Sequence, residues 1–426
     1  MRYKRAAMSL KDQFLKILMD DPDVGKIRRG ISLSLLKAIL TPKSGFSLRS
    51  DKRYSLILYN HIRKFFRGDG RGVFTSLFAP TELIYAFGLI PFSLEMFAGI
   101  AAVIGIVPAF LGRSDALWMS TDLCSFHRAY MGIANAGVLP EPAFLLATSH
   151  TCDGTFKSFS FVSDCFKKPL LLLNTPYEDT DEAVRYLAEQ LFQAKESIEE
   201  ITGKKLRDED LERAFYYSNR ARELLAQINE LRKESPPVVY GEDFMKLILA
   251  WGSLFGHKKG VRLFEGYLDE LTRLRGEGRN RVRAERRILW LHLNPFFDKS
   301  LIRYLERELK AVVVFEEVNQ VFWEELDVKN PWESLARRLL SNFWVGTAKR
   351  RLGKIVKMVE DYSVDGVIHF SHWGCRQSNG SVRLIKDTVQ GLGVPFLNLD
   401  GDCIEERNIS DGQLRTRIDG FMELMR

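Results

Sequence analysis

Cysteine is scarce in this sequence, and the residue patterns of several common enzyme classes are missing. The 426 residues include 5 Cys, too few and too widely spaced for a disulfide scaffold, and none of them form the C-x-x-C pairs typical of structural zinc sites. The sequence has no G-x-x-x-x-G-K-S/T segment and no G-x-G-x-x-G after an expected strand. It also lacks G-x-S-x-G and H-E-x-x-H. We therefore expect neither ATP hydrolysis nor NAD binding by the usual routes.

Long apolar runs are also missing. The best candidate for a membrane span, 83–111, is interrupted by Glu95, Pro91 and Pro108, so a buried strand and helix explain it better than a span of about 20 residues. The N-terminus has basic residues but no uninterrupted apolar stretch of signal-peptide length and no A-x-A-like cleavage site. An odd number of cysteines would leave one unpaired in an oxidising compartment. We expect a cytoplasmic protein without a membrane partner.

The overall composition is that of an ordinary folded protein, with 46% apolar and 27% charged residues. The 62 Lys and Arg exceed the 55 Asp and Glu by 7, which makes a mildly basic surface and is not a nucleic-acid-binding signature. Single hydrophobic cores stop growing at about 250 to 300 residues. A chain of this length therefore predicts two or more domains and no nucleic-acid partner.

The apolar periodicity divides the chain into four segments. Residues 1–70 show helical spacing and predict a helical N-terminal extension. In 71–235 short apolar runs alternate with amphipathic helices, as in βαβ units with a parallel sheet. Residues 236–285 predict a helical connection, and the alternation resumes in 286–426. The predicted fold class is α/β, with two doubly wound, Rossmann-like parallel-sheet domains, the N-terminal extension and a central helical layer.

The two predicted domains resemble each other at one point. Ser149-His150 and then Cys152 follow a buried strand of the first domain, and Ser371-His372 and then Cys375 occupy the end of a strand in the second. Common ancestry of the halves and a chance match are equally compatible with this single likeness.

Four of the five cysteines are expected in one crevice. Cys152, Cys375 and Cys403 follow predicted strands, and Cys124 opens a helix after a loop; ligands bind outside the carboxyl ends of parallel strands. Thiolates from separate loops suit a soft metal or an iron-sulfur cluster, although a free cysteine is more often an inert buried residue. Cys165 lies just before a strand, at the opposite edge, and we expect it to be a small core residue.

Five segments of the sequence, in the same order along the chain, resemble the 2-hydroxyacyl-CoA dehydratase and benzoyl-CoA reductase family, and within it the dehydratase D-component. Residues 80–91 resemble the family's P-x-E-L-x-x-A-x-G-x-x-P segment, and 412–423 resemble its closing G-Q-x-x-T-R-x-x-x-F-x-E. The segments 124–128, 151–157 and 372–377 resemble those that carry the first, second and third cluster cysteines. The likeness spans roughly residues 70 to 426, except for much of the central helical region.

The resemblance implies an oxygen-sensitive iron-sulfur enzyme. Its cofactor would be a 4Fe-4S cluster bound by Cys124, Cys152 and Cys375, with one iron open to a substrate or another ligand. Its partners would be a separate ATP-hydrolysing, iron-sulfur activator that supplies low-potential electrons, and a second subunit in a homodimer or in a heterodimer with a paralogous chain. The missing P-loop agrees with this division of labour.

Cys403 bears on the choice within the family. The segment Gly401-Asp402-Cys403 resembles single-gene, homodimeric members, some of which carry a bridged double cubane (8Fe-9S) and reduce small molecules. The first prediction is therefore a reductase of a small molecule, with Cys403 as a further metal ligand, although five cysteines fall short of the six thiolates that a double cube requires. The alternatives are a subunit that eliminates water from an (R)-2-hydroxyacyl-CoA, and a non-catalytic electron carrier.

Three further residues are candidates for proton transfer. His150 and His372 are placed to donate protons near a reduced cluster, because imidazole titrates near neutral pH; a helix cap or a hydrogen bond to a strand-end carbonyl explains each equally well. Glu82 is a candidate general acid or base, but an acidic residue there also stabilises the first turn of a helix.

Overall fold

The computed structural model describes residues 48–150, 152–277, 282–298 and 300–425. These residues form two four-stranded parallel sheets flanked by helices, which confirms the predicted α/β class with two Rossmann-like units. Residues 1–47 of the predicted N-terminal extension lie outside the described part of the chain. The predicted segment boundaries at 70, 235 and 285 remain predictions.

The first sheet has the strand order β2-β1-β3-β4, all parallel. Its strands are β1 (Gly72–Thr75), β2 (Ile90–Ser93), β3 (Phe144–Thr148) and β4 (Leu170–Leu173). The helices of this half are α1 (Arg49–Phe66), α2 (Thr81–Ala86), α3 (Leu94–Val103), α4 (Val107–Ala116), α5 (Ser125–Asn135) and α6 (Gly154–Phe166). The apolar segment 83–111 thus contains a buried strand and helix, and no helix of the described residues is long and apolar enough to span a bilayer.

A layer of helices follows the first sheet, as predicted. It consists of α7 (Asp181–Thr202), α8 (Asp208–Leu231), α9 (Glu242–Met245), α10 (Ile248–Leu254) and α11 (Lys258–Gly276). The start of α7 shows why the sequence folds this way, because the Thr180 hydroxyl accepts the Ala183 N–H at 3.2 Å and Asp181 and Glu182 occupy the positive first turn.

The second sheet has the order β6-β5-β7-β8, again all parallel. Its strands are β5 (Arg286–Leu291), β6 (Ala311–Glu316), β7 (Gly366–His372) and β8 (Phe396–Gly401). Its helices are α12 (Ser300–Arg303), α13 (Pro331–Leu340), α14 (Ala348–Asp361), α15 (Arg376–Asn379), α16 (Val382–Gly391) and α17 (Asp411–Leu424), with a π-helical turn at Tyr304–Glu308 and 3₁₀ turns at Glu317–Asn319 and Glu406–Asn408. Counted from the first strand of each half, the two orders are the same.

One apolar core joins the two halves. It contains Phe74 and Leu145 of the first sheet together with Ile288 and Ile368 of the second. Strands β1, β2, β3, β6 and β7 are buried throughout, as expected for parallel sheets covered on both faces, whereas the edge strands β4 and β8 are partly exposed. Because the halves share this core, the loops at the carboxyl ends of both sheets are held against each other.

Candidate functional site: cysteines between the two sheets

Three cysteines lie at helix starts in the crevice. Cys124 directly precedes α5 and Cys375 directly precedes α15, while Cys152 stands two residues before α6. All three are partly buried. The positive end of a helix favours an anionic sulfur, so the local structure at each cysteine suits a thiolate ligand.

The two halves meet at Cys124 and Cys375. Gly374 has a positive φ of 78°, and a Cβ there would stand 2.8 Å from the Cα of Cys124, which only glycine avoids. On the other side, a Cβ on Gly154 would stand 3.3 Å from the Cys152 sulfur. The backbone at Gly374 therefore leaves no room for a side chain beside Cys124. This close packing brings Cys124 and Cys375 together although they are far apart in the sequence.

Burial controls the protonation of these thiols. Burial, followed by the nearby Cys375 and Cys152 thiols, raises the pKa of Cys124 well above its ordinary value. Burial also raises the pKa of Cys375 to about 11, and it raises the pKa of Cys152. The backbone N–H groups of Phe126 and His127 act against burial by lowering the pKa of Cys124. The free protein holds these groups as thiols at neutral pH, so metal binding must release protons.

The donor set suits an iron-sulfur cluster better than a single ion. Sulfur donors from three separate loops match the softness of cluster iron. No three His, Cys, Asp or Glu side chains of the described residues are close enough together to bind one metal ion. A four-iron cube is wider than an ion, so the thiolates that bind it stand farther apart.

His372 is fixed between the two halves. Its Nδ1 accepts the Cys403 backbone N–H at 3.1 Å, and its Nε2 lies 3.3 Å from the Cys124 sulfur. Burial lowers the pKa of His372, so the ring is neutral and its one proton is on Nε2. His372 therefore donates a hydrogen bond to Cys124. Its predicted proton-donor role remains a prediction.

His150 has different surroundings. It is buried and stacks on Phe78, with ring centroids 5.0 Å apart. Neither ring nitrogen is within hydrogen-bonding geometry of a partner among the described residues. Burial lowers the pKa of His150 to about 3, and the nearby Asn342 amide offsets only part of this shift. The ring is therefore neutral at physiological pH.

Sequence analysis missed His292. This residue directly follows β5 and has a positive φ of 68°, a conformation that non-glycine residues adopt only where contacts hold them. Its backbone N–H donates to Glu317 at 2.9 Å, its Nδ1 lies 3.1 Å from the Phe370 carbonyl and its Nε2 lies 3.6 Å from the Cys375 sulfur. The strand-end argument that selected His150 and His372 would have found it.

Asp402 links the Gly401-Asp402-Cys403 loop to the first half. One of its carboxylate oxygens accepts the Ser125 hydroxyl at 2.6 Å and the backbone N–H groups of Ile404 and Glu405 at 2.9 Å each. Arg128 donates to Glu405 at 2.7 Å. Two residues of the 124–128 segment thus bind residues 402–405 of the second half.

Cys403 follows β8 as predicted, but its side chain is fully buried in the apolar core. Burial raises its pKa well above the ordinary value, with smaller contributions from Asp402, Cys124 and Cys375. Cys124 and Cys375 are therefore near enough to Cys403 to raise its pKa when they are ionised. Its predicted role as a metal ligand remains a prediction.

Glu82 is enclosed by polar partners. It lies in the first turn of α2 and is fully buried. One carboxylate oxygen accepts a hydrogen bond from the Ser218 hydroxyl, and the other accepts one from the Arg338 guanidinium. The side chain joins α2 to α8 and α13, and its predicted acid-base role remains a prediction.

The expectation that Cys165 belongs to the core is wrong, because its side chain is exposed. The buried positions of α6 are Thr155, Ser158, Phe159 and Val162, and Phe166 occupies the next position on that side and packs on the core. Cys165 therefore faces solvent.

The fold and the site define a two-domain α/β protein with a cysteine centre between its sheets. A family model described as 2-hydroxyglutaryl-CoA dehydratase, D-component, matches residues 76–425. The chain belongs to this family, which confirms the resemblance found in its motifs.

Three relatives show the range of the family. The (R)-phenyllactyl-CoA dehydratase alpha subunit of Clostridium sporogenes is 24% identical over 378 residues, 84% of this chain and 90% of the relative. The (R)-2-hydroxyisocaproyl-CoA dehydratase alpha subunit of Clostridioides difficile is 24% identical over 371 residues, 82% of this chain and 89% of the relative. A benzoyl-CoA reductase subunit of Thauera aromatica is 19% identical over 338 residues, 72% of this chain and 77% of the relative. The family is one of enzymes, which favours a catalytic role over an electron carrier.

Proposed function

We propose that this chain is the cluster-bearing subunit of an iron-sulfur enzyme that eliminates water from a 2-hydroxyacyl-CoA. The observation that carries the proposal is the convergence of Cys124, Cys152 and Cys375 on one crevice, each at the start of a helix. The names of the relatives supply the reaction, since most are dehydratase subunits.

The chain's own residues would hold and shield the cofactor. A bound 4Fe-4S cluster would supply a carrier for low-potential electrons and an iron open to a substrate oxygen. Cys124 and Cys152 would hold it from the first half and Cys375 from the second. His372 orients Cys124 through its Nε2–H, and Phe126 and Phe296, with ring centroids 6.1 Å apart, form part of the apolar wall on which His372 also packs.

Two protein partners belong to the proposal. Without a P-loop the chain has no usual means of hydrolysing ATP, so a separate ATP-hydrolysing activator would deliver the electrons. The relatives are named alpha subunits, which supports a second subunit, either a paralogous chain or another copy of this one.

The second candidate is the reductase of a small molecule at a double cubane. The position of Cys403, near enough to Cys124 and Cys375 for them to raise its pKa when they are ionised, favours it. The fourth thiol would then serve the second cube, with further ligands from a partner subunit.

Anaerobic purification with iron and sulfide analysis tests both candidates. We expect brown protein with about four irons per chain, as one cubane requires. Serine variants of Cys124, Cys152 and Cys375 should each lose roughly tenfold or more of the iron, while the exposed Cys165→Ser serves as the matched control and should retain it. Activity is then measured with the activator, ATP and a panel of 2-hydroxyacyl-CoA esters.

The outcomes separate the candidates. Colourless protein with stoichiometric zinc would refute the iron-sulfur proposal. About eight irons per chain, with a loss of about half in Cys403→Ser, would favour the double cube and the reductase.

A further inference from the structure

A small cavity with basic walls lies away from the cysteines. Its volume is about 260 Å³, and Lys64, Arg213, His257 and Lys258 line it together with Tyr85 and Leu89; we call it the basic pocket. Leu89 directly precedes β2, so the pocket is at the edge where the strands begin. The cysteines lie where the strands end, on the other side of a sheet that is about 13 Å high for four residues.

Two of the positive charges of the pocket make no ion pair with a described residue. Lys64 and Lys258 make no hydrogen bond or ion pair with any described residue. The single acid of the wall, Asp210, is bonded to both Arg207 and Arg213. Lys64 acts on the nearby Asp69 only strongly enough to lower the pKa of that carboxyl as a minor cause. Two ammonium groups without an ion-pair partner among the described residues therefore line one cavity, and a bound anion would offset their mutual repulsion.

His257 adds a hydrogen-bond donor. Its Nδ1 accepts the Lys259 backbone N–H at 3.1 Å, so the neutral ring has its proton on Nε2, which has no partner among the described residues. Burial, and then Lys259 and Lys64, lower the pKa of His257 to about 4. The ring is thus a neutral donor at physiological pH. The same positive field, after burial, lowers the pKa of Lys259.

The backbone contributes in the same direction. The 19-residue helix α11 begins at Lys258, at the pocket, and has no acidic residue in its first turn. The partial positive charge of the helix start therefore adds to the two ammonium groups.

We propose that the basic pocket binds the phosphate group of a small ligand. The pocket is surrounded by two lysines, by the Nε2–H of His257 and by the edge of the Arg213 guanidinium that does not bond Asp210. Its volume is large enough for a phosphate group but smaller than that of pockets that enclose a whole cofactor. The ligand is either free phosphate or the end of a phosphate ester. A second, separate cavity of about 510 Å³ lies on the same face of α1, lined by Asn60 and Arg53 and by the acids Glu265 and Asp269.

Calorimetric titration of the full chain with inorganic phosphate and with AMP, at low ionic strength, tests the proposal. We expect the wild type to bind inorganic phosphate with a Kd of about 1 mM or tighter, and the Lys64→Gln/Lys258→Gln variant to bind it at least roughly tenfold more weakly. The matched control is Lys354→Gln/Lys386→Gln, which removes two exposed lysines of the second half and should change binding less than about twofold. AMP that binds more tightly than phosphate would identify an ester as the ligand, and equal affinity would identify free phosphate.

Two outcomes would overturn the proposal: no binding by the wild type, or an equal loss in the control. The single variant Lys258→Gln shows whether weaker binding comes from misfolding. Lys258 is exposed, and its replacement removes a positive charge from the positive start of the helix. It should raise the Tm in phosphate-free buffer while weakening phosphate binding. The test needs no cluster, so its failure leaves the proposed function untouched.

Discussion

The two sheets have the same strand order, and each places a Ser-His pair at the carboxyl end of its third strand, yet the two histidines differ completely. His372 uses both ring nitrogens, with the Cys124 sulfur and the Cys403 N–H. Neither ring nitrogen of His150 has a hydrogen-bond partner among the described residues, and the ring stacks on Phe78. Histidines at equivalent positions of the two sheets therefore make different contacts.

The neighbours explain the difference. The loop after β7 faces α5 of the first half and the Gly401-Asp402-Cys403 loop of its own half, which together supply a sulfur and a backbone N–H. The loop after β3 faces an aromatic cluster of Phe78, Trp251 and Trp344. A strand-end position offers a functional site, and the surfaces packed against it decide its chemistry.

Alanine variants of the two glycines beside the cysteines should show the largest difference in the free energy of unfolding. Gly374→Ala forces a left-handed residue against the Cys124 backbone, and we expect it to lower the free energy of unfolding by about 3 kcal/mol. Gly154→Ala meets the His127 ring at 3.0 Å with an ordinary φ, and about 1 kcal/mol is expected. Urea unfolding of the cluster-free protein measures both, and equal costs would show that the contact between the halves is looser than described.

Phenylalanine variants of the two histidines should show the next largest difference in the free energy of unfolding. His372→Phe removes two hydrogen bonds and leaves the Cys403 N–H buried without a partner, at a cost of about 2 kcal/mol. His150→Phe keeps the stacking on Phe78 and removes two unpaired nitrogens, so a change within about 0.5 kcal/mol is expected. The same unfolding experiment compares them. A larger cost at His150 would mean that its ring has a partner in solution.

The pH dependence should give the smallest effect. Burial holds the pKa of His150 at about 3, below its value of about 6.5 in the unfolded chain. The unfolded state therefore binds the proton more readily, and stability present above pH 6.5 is lost as the pH falls toward 3. The wild type should lose about 1 kcal/mol more than His150→Phe between pH 7 and 5.5. Parallel stability curves for the two proteins would contradict this assignment.

Local patterns in the sequence were enough for much of the site. Alternating apolar runs and helices identify the strands, and chain direction then places Cys152 and Cys375 at the ligand-binding edge of their sheets. The same argument applies to His292, which was overlooked. The argument failed for Cys165. Which of two neighbouring helical residues faces the core depends on how the helix packs against the sheet, and here Phe166 packs on the core instead.

The sequence by itself determined the α/β class, the two parallel sheets and the family, because periodicity and ordered motifs are local properties of the chain. Only the tertiary structure decided that Cys124 meets His372, 248 residues away, that Cys403 turns into the core, and that Lys64 and Lys258 share a pocket. Such contacts depend on how whole helices and sheets pack together, and no short stretch of sequence encodes that distance or direction.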